Sequence, residues 1–109
     1  MFKWIKKILR GVADGIDGAE VDMAMRDLAG ILGLRLKGIS GICYKRAGLE
    51  VTVHICMPIL NREERRKAYR VQDEIIEKYP ELTFDFWMIT ADGSGYDADR
   101  WGIIKIGED

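Results

Sequence analysis

The sequence predicts an α+β fold with the element order α-α-β-β-α-β-β. Between Leu49 and Ile89 the hydrophobic period changes from two to helical spacing and back to two, the pattern of a β-α-β crossover. Before it, two amphipathic stretches read as helices, and a glycine-interrupted alternating stretch reads as a strand joined to the crossover by a basic turn. With 109 residues the chain is one domain, long enough to bury roughly two-thirds of its unfolded surface. Residues 1–16 are set apart as an amphipathic helix, and residues 17–109 form the α+β domain.

In residues 1–16, about 100° of turn per residue places Phe2, Trp4, Ile5, Ile8, Leu9, Val12 and Ile16 on one side. Lys3, Lys6, Lys7, Arg10 and Asp14 take the other. Such a helix covers a core or a partner chain, or lies on a membrane surface. Asp17-Gly18 then breaks the pattern. Ala19 to Leu32 reads as a second helix with Val21, Met25, Leu28, Ile31 and Leu32 inward, capped by Gly33.

Leu34 to Tyr44 reads as a strand in which Gly38 and Gly41 mark a bulge or a close backbone approach. Lys45-Arg46-Ala47-Gly48 reads as its hairpin turn, setting Tyr44 opposite Leu49 and Ile42 opposite Val51. Leu49, Val51, Val53, Ile55 and Met57 alternate with Glu50, Thr52, His54 and Cys56 until Pro58 ends the ladder. Asn61 and Glu64 form a capping-box-like start for a helix carrying Ala68, Val71, Ile75, Ile76 and Tyr79 inward, supported by a Glu74–Lys78 pair. Leu82 to Ile89 alternates again. Ala91 to Arg100 has loop composition, and Trp101 to Ile106 reads as a last strand returning as a hairpin beside the Leu82 strand.

A right-handed crossover makes the Leu82 strand parallel to the Leu49 strand. The result is a three- to four-stranded mixed sheet with helices packed on one face, an open ferredoxin-like arrangement. Ile39, Cys43, Cys56, Trp87, Ile89 and, with a suitable last strand, Trp101 fall on the other face, which is too apolar to stand open to water. The first helix or a second copy of the chain is expected to cover it.

Composition excludes several classes. A net charge of −1 argues against a general nucleic-acid binder, which needs surplus Lys and Arg. No apolar run approaches the roughly 20 residues of a membrane span, and no secretory pattern follows the basic start. Two cysteines outside a CxxC pair read as buried thiols in a reducing cytoplasm. The expected localisation is cytoplasmic, with membrane-peripheral attachment through residues 1–16 as a variant.

His54 and Cys56 leave one strand on the same face, and Cys43 shares it from the neighbouring strand. An imidazole and two thiolates suit Zn²⁺ or another borderline-soft ion, and no other cofactor is implied. The carboxylates of Asp92, Asp97 and Asp99 sit among glycines without the spacing of a calcium loop. Phosphate-binding and nucleophile-elbow motifs are lacking.

From Asp17 to Ile89 the layout resembles the cytoplasmic C-terminal domain of cation-diffusion-facilitator metal transporters. The similar features are a helix before a glycine-rich bend (Leu28 to Gly38), the basic turn Lys45-Arg46-Ala47-Gly48, and a Leu-x-x-Glu-Glu helix start (Leu60 to Glu64). The resemblance implies an α-β-β-α-β fold and a small module that dimerises. Those domains carry a histidine in the crossover helix and another in the final strand; here those elements hold none. The expected function is a non-enzymatic association or regulatory module, homodimeric or bound to a protein partner, with Phe2, Trp4, Ile5, Ile8, Ile39, Trp87 and Ile89 as contacts. A metal-responsive site at His54, Cys56 and Cys43 and a peripheral membrane protein are the alternatives.

Overall fold

The structure, a computed structural model, describes residues 14–106, with side chains from residue 18 onward. Its elements are α1 (Asp14–Arg35), β1 (Gly41–Ala47), β2 (Glu50–Cys56), α2 (Arg62–Lys78), β3 (Thr83–Ile89) and β4 (Gly102–Lys105). The strands form one sheet in the order β3-β2-β1-β4. β1 is antiparallel to both β2 and β4, and β2 is parallel to β3. The α+β architecture and the parallel β-α-β crossover are therefore as expected.

The core lies between the helices and one face of the sheet. Ile42, Val51, Val53 and Ile55 from the strands meet Val21, Met25, Leu28 and Leu32 of α1 and Ala68, Val71 and Ile75 of α2. Each of these is removed from water, which at about 25 cal/mol per Å² makes this layer the main source of stability. The two helices are tied to each other by charge. Arg35 pairs with Glu74 and Lys78 with Asp27, while Asp27 also accepts from the Tyr79 hydroxyl. Glu74 and Lys78, expected to pair along one helix, thus reach across to the other. Ile76, expected inward, is exposed.

Several local expectations are corrected. Asp17-Gly18 does not break a helix; α1 runs straight through it. One glycine costs a helix about 1 kcal/mol relative to alanine, less than the burial that holds this helix down. Gly33 is not the cap either, because α1 continues to Arg35 and the left-handed residue is Gly38, at φ 74°. Leu34 consequently belongs to the helix and is 89% exposed. β1 starts at Gly41, where an added Cβ would lie 2.5 Å from the Ile104 carbonyl oxygen, the close backbone approach that the glycine signalled.

The β1–β2 hairpin is tighter than expected. Ala47 pairs with Glu50, so Gly48 and Leu49 alone make the turn, with Gly48 at φ 64° in the position where II′ hairpins place glycine. Ile42 lies opposite Ile55, and Tyr44 opposite Val53. The register moves by an even number of residues, so the paired side chains keep their expected faces; Ile39, expected on the open face, lies before β1 and is buried in the core instead. At the start of α2, Asn61 accepts from the Glu64 amide at 2.8 Å. Glu64 does not return the bond to Asn61. It is only 7% exposed and accepts from the Lys37 amide at 2.5 Å, securing the chain as it leaves α1.

The largest correction concerns β4, which pairs with β1 and not with β3. β3 and β4 form opposite edges of the sheet and run in the same direction. The chain between them must therefore cross the whole sheet. The β2-α2-β3 crossover moves one way with its helix on the core face. A right-handed connection moving back the other way lies on the opposite face. Residues 90–101 accordingly strap the face that the helices leave open.

Candidate functional site: the strapped face of the sheet

On this face β1 contributes Cys43 and Lys45, β2 contributes Thr52, His54 and Cys56, and β3 contributes Asp85, Trp87 and Ile89. Pairing sets Cys43 directly opposite His54, and His54 beside Trp87. The expected grouping of His54, Cys56 and Cys43 on one face is therefore present. The sequence did not reveal what lies on top of it.

The strap is built from two aspartate turns. Asp92 accepts from the Ser94 amide at 2.9 Å, and Asp97 accepts from the Asp99 amide at 2.9 Å. These side chains mimic backbone turns. The Ser40 hydroxyl lies 3.0 Å from both the Asp92 and the Cys56 carbonyl oxygens, pinning the strap where it enters the sheet. Gly93, at φ 85°, then passes over the two thiols so closely that an added Cβ would stand 3.3 Å from Cys56 Sγ and 3.7 Å from Cys43 Sγ. Only glycine offers both this backbone conformation and this clearance.

Farther along, the Tyr96 hydroxyl lies 2.6 Å from His54 Nδ1. The Trp101 ring sits 4.8 Å from the imidazole and 4.9 Å from the Tyr96 ring, with Lys45 Nζ over it at 4.4 Å. Trp87 meets the imidazole edge-on at 6.3 Å. His54 is the hub of an aromatic cluster that holds the strap to the sheet. Edge-to-face contacts of this kind are worth about 0.5–1.5 kcal/mol each beyond the area they bury.

The electrostatics follow from this covering. Burial, reinforced by Cys56, pushes the Cys43 thiol up to about 12, and burial also raises Cys56. Burial lowers His54, and the Lys45 ammonium lowers it further. Burial raises Tyr96. Burial therefore favours protonated thiols and a neutral imidazole here, whereas an activated cysteine nucleophile is favoured by a lowered thiol pKa.

Beside the thiols a cavity of about 320 Å³ opens toward β4, lined by Ser40, Cys43, Cys56, Gly93 and Ile103. Among the described residues, no group of three or more His, Cys, Asp or Glu is arranged to hold a metal ion. None of the described helices is long and apolar enough to cross a membrane.

Of the expected contacts, Ile39 is buried in the core cluster and Ile89 is half-buried, while Trp87 is 54% exposed. Phe2, Trp4, Ile5 and Ile8 lie outside the described residues, as do most of the residues expected to form the first helix. The cover over the open face was expected from that helix or from a second copy; over His54 and the thiols the strap supplies it. Sequence reasoning missed Tyr96, Lys45 and Gly93 as members of the site. The available signal was the crossover rule: a last strand on the far edge sends Tyr96 over the open face. Comparison with protein-family models, with curated proteins and with solved structures gives no match, so function is argued from geometry.

Proposed function

We propose that this protein is a non-enzymatic association module, homodimeric through the β3 side of its strapped sheet face. The observation that supports the reading is the contrast across that face. His54, Cys43 and Cys56 lie under the strap, where its Tyr96 and Trp101 pack on His54. Trp87 lies beyond it, on an edge strand, with more than half its surface in water. A tryptophan at such a position is the residue type that most often anchors a protein contact.

The test is light-scattering mass of the full-length protein and two variants. Trp87→Glu keeps the fold and loses half the mass of the wild-type particle. Trp4→Glu leaves the mass unchanged. A wild-type monomer removes the association reading. A dimer broken by Trp4→Glu but not by Trp87→Glu moves the contact to the N-terminal residues.

A further inference from the structure

β3 is an edge strand among the described residues, and its outer side carries backbone groups free to pair. Two backbone bonds fix which way the groups of this strand point. The Thr83 amide donates to the Leu49 carbonyl, and the Ile89 carbonyl accepts from the Met57 amide. In a parallel pair both polar groups of a residue face the same neighbour, and successive residues alternate. Thr83, Asp85, Trp87 and Ile89 therefore turn inward to β2. The N–H and C=O groups of Phe84, Phe86 and Met88 turn outward, where the sheet has no further strand among the described residues. This free edge is seven residues long, contains no proline and carries one charge, the composition of an edge prone to pair.

We infer that a second copy of this chain pairs with that edge, β3 antiparallel to β3, on a two-fold axis through Phe86. The inference rests on the homodimer reading above and specifies its geometry. Three features select this register. With the axis at Phe86, Phe86 faces its own copy and Phe84 faces Met88, so every outward amide meets an outward carbonyl. Axes between residues would set outward groups against inward ones. An axis at Asp85 or at Trp87 would leave Met88 or Phe84, respectively, without a partner within the strand, and the former would also oppose two carboxylates, which destabilises a cross-strand pair.

The side chains agree with the same axis. On the strapped face Asp85 of each copy stands opposite Trp87 of the other. Trp87 Nε1 already donates to Asp85 Oδ2 within one chain at 3.0 Å, so the two groups are matched as donor and acceptor. On the helix face the edge is bordered by Arg65, Tyr69 and Gln72 across a groove of about 300 Å³, and Tyr69 is half exposed. Two α2 helices brought together antiparallel set the basic first half of one toward the acidic second half of the other. Arg62, Arg65 and Arg66 then face Asp73 and Glu77, which is charge complementarity across a two-fold.

The experiment uses the full-length chain and a charge-swap series at two exposed positions. Trp87→Asp sets a new carboxylate against Asp85 of the other copy, and the light-scattering mass falls by half. Adding Asp85→Lys to that variant places lysine against aspartate and restores the dimer mass. Restoration is specific to an axis at Phe86, because an axis at Asp85 would set lysine against lysine. Amide exchange supplies the second readout: Phe84, Phe86 and Met88 become protected as protein concentration rises, while Asp85 and Trp87 are protected throughout. A wild-type dimer whose Phe84, Phe86 and Met88 amides exchange freely at every concentration overturns this interface and leaves the association reading intact. Failure of the double variant to recover its mass overturns the register. A wild-type monomer removes both readings.

Discussion

The two faces of this sheet are closed by different means. On the helix side, two helices, each with one face buried, cover Ile42, Val51, Val53 and Ile55, all fully buried, with contacts that are apolar and redundant. On the other side a loop does the covering, and it is held by a histidine, two thiols and two aromatic rings. The first closure depends on area and tolerates changes of detail. The second depends on a few specific fits, on one glycine and on the charge state of one imidazole. Stability should therefore respond mainly to the first face, and the exposure of the thiols mainly to the second.

The largest effect expected separates them by size. Ile55→Ala removes a fully buried side chain from the helix-covered core and costs about 2–5 kcal/mol. Denaturant unfolding should show it as a lower midpoint. A smaller loss than that of a strap variant would mean that the core is not the main source of stability. Gly93→Val probes the strap. A β-branched residue at φ 85°, with its Cβ 3.3 Å from a sulfur, costs about 1–3 kcal/mol in backbone strain alone. The strap yields before the sheet does, so alkylation of Cys43 and Cys56 in the native protein should accelerate and proteolysis within residues 91–100 should appear. Thiols that stay as slow to label as in the wild type would show that Gly93 is dispensable to the cover.

This contrast also explains what was legible in the sequence. The core face is a period, and periods can be read: Val51, Val53 and Ile55 alternate, and Ala68, Val71 and Ile75 recur at helical spacing. Even a wrong hairpin register left the faces correct, because the error was an even number of residues. The strap is a topological fact. Nothing local to Tyr96 or Gly93 says which edge the last strand will join. With β4 beside β3, residues 91–100 are only a turn-rich loop, and His54 has Cys43 and Cys56 beside it but nothing above it. Once β4 lies beside β1, the handedness rule and the two-residue alternation bring Tyr96, Trp101 and His54 to one face. The continuous α1 has a similar explanation, since tertiary burial outweighs the modest helical cost of Gly18.

The smallest effect expected concerns pH, and it belongs to the strap alone. His54 is the chain's one histidine, so a transition between about pH 5 and 7 points first to its imidazole. Burial and then Lys45 lower its affinity for a proton. The titratable and aromatic groups around it are Cys43, Lys45, Asp85, Tyr96, Trp87 and Trp101, and among the charged ones Lys45 lowers and Asp85 raises its proton affinity. In the unfolded chain the imidazole takes up a proton below about pH 6.5, whereas in the folded chain it does so only at lower pH. The unfolded state then binds more protons, and stability falls as pH drops through this window. The thermal midpoint should therefore decline between about pH 7.5 and 5.5 in the wild type. In His54→Phe, which keeps a ring in the cluster and removes the titration, it should stay level over the same range. A decline of equal size in both proteins would place the titrating group elsewhere, and the imidazole would then act in the cluster as a packed ring only.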